Sequence, residues 1–448
     1  MTISKKVFAL TPLCALLAAG SVHATNGMLM EGYGPISTGM GGASQAFDHG
    51  TAAMAQNPAT LALGSAETRL DIALGFLGPK VTSSVPGMPE AQSGGTAYTM
   101  PAVGYTRRSG ALTYGVGMFA QGGMGTEYAA NSFMAMGSGD PVRSELSVGN
   151  LIIPLAYQVN HNVTVGATLD YMWSGLDMQM AATPMQLGSM VTGGTGQLGG
   201  AIGAGALNSA TWARLNFTDD NKFTGAAKAT GWGAKFGGTV KVNQDVTLGA
   251  SYRLKSALDD MKTSASSASM TANPGGGGST ATFTDAGRIT VINFQMPAVL
   301  AVGGSWQVQP NLMLAADIKS IAWAEVMKGF KMRFDSAAMG GSVSFELPQN
   351  WKDQTVLSLG LAWKANEQLT LRAGLNLADN PIPDATVNPL FPATVKNHAT
   401  LGLGYQASPT DALNAALTIA PSTSVTSGTG VTIAHGQTNL QLMYTHRF

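Results

Sequence analysis

Residues 162–171 read Asn162-Val163-Thr164-Val165-Gly166-Ala167-Thr168-Leu169-Asp170-Tyr171. Side chains alternate across a strand, so Val163, Val165, Ala167, Leu169, Tyr171 and Trp173 share one face. Asn162, Thr164, Gly166, Thr168 and Asp170 share the other. A helix would smear both sets around its axis, because it brings together positions three and four apart. The pattern recurs. Val246, Leu248, Ala250, Tyr252 and Leu254 alternate with Thr247, Gly249, Ser251, Arg253 and Lys255. Leu369, Leu371, Ala373, Leu375 and Leu377 alternate with Thr370, Arg372, Gly374 and Asn376. A half-buried strand in a soluble sandwich shows the same alternation, so one segment decides little; repetition and what separates the segments decide more.

Strand-like segments fall near 67–82, 96–107, 111–121, 144–159, 162–178, 226–242, 245–258, 287–308, 311–324, 353–365, 368–378, 396–407, 410–420 and 437–448. Tight turns join them at Arg108-Ser109-Gly110, Asn160-His161-Asn162, Asn243-Gln244-Asp245, Gln309-Pro310-Asn311, Ala365-Asn366-Glu367 and Ser408-Pro409-Thr410. Long connections lie between these turns, the largest at 179–225, 259–286 and 325–352. Short and long connections alternate strictly, as in outer-membrane barrels with short periplasmic turns and long outer loops. The expectation is an all-β, transmembrane antiparallel barrel of about fourteen strands spanning 65–448.

Composition agrees. Only 11% of the 448 residues are charged, against about 25% in an average soluble protein. Lys+Arg and Asp+Glu are both 25, which offers no basic face for nucleic acid. No apolar run beyond the N-terminus reaches the ~18–20 residues of a membrane helix. The last strand puts Leu440, Leu442, Tyr444, His446 and Phe448 on one face and ends on an aromatic residue. Outer-membrane barrels commonly end so, and Phe448 is the expected contact for the barrel assembly machinery. Tyr157, Trp173, Tyr405 and Tyr444 are candidates for the interfacial aromatic girdles or for ordinary strand packing.

The N-terminus reads as a Sec-type signal peptide over 1–24: Lys5 and Lys6, an apolar stretch from Val7 to Ala19, then Val22-His23-Ala24. The single cysteine, Cys14, leaves with it, so no disulfide is expected. Residues 25–64 do not alternate. They hold Gly39-Met40-Gly41-Gly42-Ala43 and Gln56-Asn57-Pro58-Ala59, and small residues of this kind suit a compact hatch plugging the lumen. Asn57-Pro58 favours a turn. A disordered linker is the plainer reading of the same composition.

In this order, signal peptide, Gly-Met-Gly-Gly-Ala, Asn-Pro-Ala and barrel, the chain resembles the FadL-type outer-membrane transporters of long-chain fatty acids and other hydrophobic compounds. Pro154-Leu155-Ala156-Tyr157-Gln158, Gly231-Trp232-Gly233-Ala234, Trp351-Lys352-Asp353, Leu371-Arg372-Ala373-Gly374 and Asp379-Asn380-Pro381-Ile382-Pro383 extend the likeness along nearly all of the chain. The resemblance implies an N-terminal hatch containing Asn57, Pro58 and Ala59. It also implies a break in the third strand through which substrate leaves sideways into membrane lipid.

The residues supply candidates for each part. Gly41 and Gly42 belong to the hatch motif. Gly122 and Gly123 follow Leu112, Tyr114, Val116 and Met118 in the third strand, and glycine there marks a bend or the start of an outer loop. Pro101 weakens the neighbouring strand, and Pro154 and Pro297 also sit inside apparent strands. Met28 and Met30 in the hatch, with Met180 and Met185 in the nearly uncharged first half of loop 179–225, are candidate contacts for greasy cargo, methionine being flexible and polarisable. Packing of loop methionines on one another is the alternative. Arg372, with Lys352, is a candidate anchor for a carboxylate, as is Arg253, unless such lumen cations pair with Asp170 or Asp317.

The function expected is passive, ligand-gated uptake of hydrophobic compounds, without catalytic residues, cofactor or metal. General diffusion porins are the main rival. A barrel-embedded hydrolase is a weaker one: no G-x-S-x-G, HExxH or paired cysteine spacing is present. The Gly194-x-Gly196-x-x-Gly199 run lies in an apolar loop without a strand-turn-helix setting, and reads as chance.

Overall fold

A computed structural model describes residues 26–221, 224–273 and 283–448. The expected signal peptide 1–24, with Thr25, lies outside the described residues. The described residues form 23 strands. The first part of the chain supplies β1 Thr68–Ser84, β2 Ala91–Gln92, β3 Tyr98–Ser109, β4 Leu112–Tyr128, β5 Val142–Gln158, β6 Val163–Ala182, β7 Val191–Thr195 and β8 Trp212–Phe217. The middle supplies β9 Ala227–Lys241, β10 Val246–Arg253, β11 Ala257–Leu258, β12 Met261–Lys262, β13 Ala268–Asn273, β14 Phe283–Ile292, β15 Val299–Gln309 and β16 Leu312–Ile321. The last part supplies β17 Gly329–Ser336, β18 Ser342–Pro348, β19 Gln354–Lys364, β20 Leu369–Ala378, β21 His398–Gln406, β22 Asp411–Thr426 and β23 Thr432–Arg447.

All pairings are antiparallel and the ladder closes on itself, β23 pairing β1 from Arg69↔Arg447 to Ser84↔Thr432. The expectation of about fourteen strands is corrected: the closed barrel has eighteen. Between β6 and β9 the ladder detours through β8, β13, β14 and β12, and below that detour β6 meets β9 directly from Val163↔Val240 to Leu176↔Ala227. The added strands come from connections 179–225 and 259–286, where no lipid-type alternation is visible. Their pattern is that of a water-facing sheet. In β13, Ala268, Met270 and Ala272 are buried while Ser269, Thr271 and Asn273 are not. Three further strands hang from the same region, β14 pairing β17, β17 pairing β18 and β18 pairing β7.

The expected segment 287–308 is two strands. Asn293 turns the chain with φ 54 and Pro297 follows, which has no backbone donor for a ladder. Below, the turns are built alike. Asn160 Oδ1 accepts from Asn162 and Val163 N–H, Asn243 Oδ1 from Asp245 and Val246, and Asn366 Oδ1 from Gln368 and Leu369, all at 2.8–2.9 Å. The asparagine side chain copies a backbone turn and fixes each hairpin's register.

The faces are reversed relative to a soluble protein. Ile72, Leu74 and Phe76 of β1, Leu151, Ile153 and Leu155 of β5, and Leu401 and Leu403 of β21 are exposed. Thr164, Asp170, Ser358, Asn376, Thr400 and Asn439 are buried within the ring. An apolar outward band over a polar interior is the signature of a wall standing in lipid. No helix among the described residues is long and apolar enough to cross a membrane, so only strands span it. Above the lipid band, apolar side chains turn inward into a core containing Phe294, Trp323, Phe330, Trp351 and Phe391.

Candidate functional site at a gap in the wall

Residues 26–64 pack against inward-facing residues of the wall. Pro35 starts the short helix Gly34–Thr38, and Asn57 caps a 3-10 turn at Pro58–Leu63 by accepting from Ala59 N–H. The wall holds this segment from several sides. Ser44 N–H donates to Asp317 Oδ2 (2.6 Å), Lys319 Nζ to Gly42 O (2.9 Å), Lys235 Nζ to Met54 O (2.9 Å), and Asn376 Nδ2 to Gly41 O (3.0 Å). Thr164 Oγ1 donates to Ala59 O, and Thr418 Oγ1 to Glu31 Oε1 at 2.7 Å. The wall residues in these bonds come from β16, β9, β20, β6 and β22. Buried polar groups on the wall need partners, and the segment's backbone provides them.

The wall itself is interrupted beside this segment. β3 pairs β1 up to Leu77↔Tyr98, but pairs β4 only from Ser109↔Leu112 to Val103↔Met118. Beyond Met118, β4 continues to Tyr128 on β5 alone. Pro101 lies on the edge of β3 that has lost its β4 partner, where a missing donor costs least. On the other side of β4 the register shifts between Ala120 and Gly122, leaving Gln121 as an extra residue. Such a bulge bends its strand. It also exchanges the faces: Phe119 and Gln121 point inward before it, and Met124, Thr126 and Tyr128 lie opposite the inward residues Leu146, Ser144 and Val142 after it. Gly122 is required by close approach, since a Cβ there would stand 2.0 Å from Met28 O. Gly123 N–H donates to that carbonyl at 3.2 Å.

A cavity of about 260 Å³ occupies the gap. Met100, Pro101, Phe119, Met124, Leu146 and Trp173 line it, with Gly27 of the leading segment. Its titratable neighbours are Tyr98, Glu145 and His435, and no Lys or Arg contributes. Glu145 is held by Arg143 at 2.6 Å, and His435 Nδ1 donates to Pro392 O at 2.6 Å. Pro392 and Ala393 belong to connection 379–397, which reaches across to the gap. Thr126 and Tyr128 donate to Pro389 O, and Ser144 to Leu390 O.

The sequence candidates separate in space. Gly122, Gly123, Pro101 and Met28 meet at the gap, with Met28 only 3% exposed. Met30 lies inward, beside Tyr33 and Phe119. Asn57, Pro58 and Ala59 pack on β6 and β9, whereas Gly41 lies against β19 and β20 and Gly42 beside Asn376 of β20. Met180 is buried on β6 above the lipid band, whereas Met185 is 85% exposed. Lys352 is exposed, its N–H donating to Pro381 O. Arg372 faces the lumen and donates to Asn414 Oδ1 at 3.2 Å, away from the gap. The lumen cations are engaged by protein: Lys235 with Asp170 at 3.3 Å, Lys319 with carbonyls, Arg253 with Gln121 and Pro297.

Sequence reasoning missed Tyr33 and Gln121. Tyr33 OH donates to the carbonyl of Gln121 at 2.7 Å, and burial pushes its phenol up to about 12, so it stays a donor at neutral pH. It also missed the aromatic cluster above, where Trp323 and Trp351 meet edge-on at 5.0 Å. Motif spacing flags neither pairing, although Trp351 stands in the Trp351-Lys352-Asp353 run. No cluster of three potential metal ligands occurs among the described residues.

This geometry is shared with known proteins. Residues 16–447 match the outer membrane protein transport protein family, OMPP1/FadL/TodX. The chain belongs to this family. Among solved structures similar to this OMPP1/FadL/TodX member, the toluene transporter TodX of Pseudomonas putida is 30% identical with a TM-score of 0.83, covering 93% of this chain and 99% of that one. The toluene transporter TbuX of Ralstonia pickettii is 29% identical with a TM-score of 0.76, over 93% and 99%. A FadL homologue of Pseudomonas aeruginosa, at 18% identity and TM-score 0.71 over 94% and 100%, shares the fold. A curated relative from Chlorobium limicola, an uncharacterized protein in the phosphoenolpyruvate carboxykinase gene 5′ region, is 34% identical over 122 residues, 27% of this chain. The match spans 59% of that relative's length. As a FadL/TodX family member with a closed barrel, the chain is an outer-membrane transport protein and its relatives are channels rather than enzymes.

Proposed function

We propose that this chain carries neutral hydrophobic compounds, monoaromatic hydrocarbons such as toluene ahead of long-chain fatty acids, and releases them sideways through the gap between β3 and β4. The observation that carries the reading is the apolar cavity of about 260 Å³ at that gap, with no Lys or Arg in its lining. A carboxylate entering it would find no Lys or Arg in the lining, Arg143 behind it being already engaged by Glu145 at 2.6 Å, and burying an unpaired charge is costly. A neutral ring loses nothing by desolvation there and gains contact with Met100, Met124, Phe119 and Trp173. The toluene-transporting relatives TodX and TbuX support the same class.

Residues 25–64 act in this reading as a hatch. The contacts of residues 26–64 with inward-facing wall residues support it, and a water-filled path of the general-porin kind is disfavoured. Gly27, Met28 and Leu29 stand between lumen and gap, and cargo gains passage by displacing them. Membrane lipid receives the cargo, which spares a hydrophobic solute the aqueous step. Met185 on the exposed loop is an initial contact in this scheme.

The test is uptake of radiolabelled toluene and of oleate by cells carrying the protein, with a Thr25–Met30 deletion alongside. Saturable toluene uptake exceeding oleate uptake is expected, with faster, less selective entry in the deletion. Uptake of neither compound rejects the carrier reading, and equal passage of small sugars replaces it with a porin.

A further inference from the structure

The bulge in β4 creates a specific problem. An extra residue in a ladder leaves its own backbone groups without strand partners, and buried unpaired groups are rare in folded proteins. Gln121 is 1% exposed, yet each of its polar groups facing the lumen is matched. Its carbonyl accepts from Tyr33 OH at 2.7 Å. Its side-chain Nε2 donates to Asn150 Oδ1 at 2.9 Å, and its Oε1 accepts from Arg253 Nη1 at 3.2 Å. Asn150 in turn donates to Asp170 Oδ2, which pairs with Lys235, and Lys235 Nζ reaches Met54 O. The network thus starts and ends on residues 26–64, at Tyr33 and Met54, and runs along the inner face of the wall from the bulge on β4 to β9.

We propose that Gln121 is the positioning residue of the wall gap and that Tyr33 latches the leading segment to it. The latch holds Gly27–Leu29 against the inner side of the cavity while the bulge holds β4 away from β3. Departure of the leading segment withdraws the donor from the Gln121 carbonyl, so the segment and the gap move together. Coupling of this kind is reciprocal: a change at either end is felt at the other. The proposal rests on the sideways-release reading for its purpose, but its physical content is the link between two parts of the chain.

The experiment is hydrogen exchange on the full-length protein in lipid vesicles, comparing wild type with Tyr33→Phe and with Gln121→Ala. Phenylalanine keeps the ring and removes one donor. Exchange over residues 119–125 should then rise about tenfold, as one removed buried bond allows local opening. Gln121→Ala keeps the carbonyl that Tyr33 reaches but removes the Asn150 and Arg253 bonds that hold it in place, and should raise exchange over residues 27–33 by a smaller factor. A rise confined to the mutated segment in both variants overturns the latch. Should Tyr33→Phe fail to assemble, Gln121→Ala read at residues 27–33 decides alone. Toluene uptake on the same samples separates the two ideas. Reciprocal exchange without toluene entry upholds the latch and rejects sideways release; toluene entry with uncoupled exchange does the reverse.

Discussion

The side-chain amide of Asn57 donates to the carbonyl of Gly238 on β9, 3.3 Å away, and to Gln45 O at 2.8 Å within the leading segment. One amide thus ties a turn of the segment to the wall, while its oxygen caps the turn through Ala59 N–H. The wall has been cut to fit: a Cβ on Gly237 would stand 1.9 Å from Asn57 Oδ1.

Gly237→Ala is therefore expected to lower stability by about 1–3 kcal/mol through overpacking. Asn57→Ala removes the cap at a cost of about 1–2 kcal/mol. Together they should cost less than their sum, because alanine at position 57 relieves the clash. Thermal unfolding in detergent, with protease sensitivity of residues 26–64, measures all three; strict additivity would show that the two residues do not interact.

Filling the gap should stop transport without unfolding the barrel. Ala120 lines the cavity at the bulge. Ala120→Trp is expected to cut the initial rate of toluene uptake at least about tenfold, a barrier rise of about 1.4 kcal/mol, while gel mobility still reports a folded barrel. An unchanged rate would take the gap off the path.

Lys235 and Asp170, 2% and 3% exposed at the side chain, form a buried pair. Lys235→Met strands the carboxylate and is expected to destabilise by about 3–5 kcal/mol, whereas Lys235→Met with Asp170→Leu should recover most of that loss. Half-saturation for toluene should not move in the double variant, because the pair serves structure. A large rise in half-saturation would make it a cargo contact.

Acid should loosen the leading segment. His49 is fully buried, its Nδ1 donating to Phe47 O at 3.0 Å. Burial holds its imidazole below the ordinary 6.5, with Asp48 opposing that shift and Arg69 and Lys319 favouring it. At His49 the docked state thus binds fewer protons than the released one. Stability of docking is complete above about pH 6.5 and falls as the pH drops below it. Protease sensitivity of residues 26–64 should rise between about pH 7 and pH 5, in the range where histidine titrates, and His49→Gln should flatten that rise. A wild-type profile independent of pH would contradict the assignment.

How much of this was legible varies from element to element. β6, β10 and β20 were readable because a strand in lipid must turn every second side chain outward. The asparagine turns were readable because their chemistry is local. β8, β12 and β13 were not: above the lipid their apolar residues face inward, reversing the sign of the pattern, and their Ser- and Gly-rich surroundings read as loop. Gly122, Gly123 and Pro101 were singled out as weak points of a wall, and the Ala120→Trp variant tests whether cargo passes beside them. Arg372 donates to Asn414 and Lys352 is exposed, so neither lines the cavity at the gap. Tyr33 and Gln121 carried no signal, since an isolated tyrosine and glutamine fit many settings.

The sequence by itself determined that the chain is a membrane-standing β-structure with a non-alternating leader, because hydrophobic period and turn chemistry are properties of neighbouring residues. Only the tertiary structure decided that the barrel has eighteen strands, where its ladder is interrupted, and which residues line the gap. Those facts depend on pairings between distant segments, such as Met28 with Gly123 or Pro392 with His435. Nothing local to either partner encodes such a contact; it arises when the closed wall brings them together.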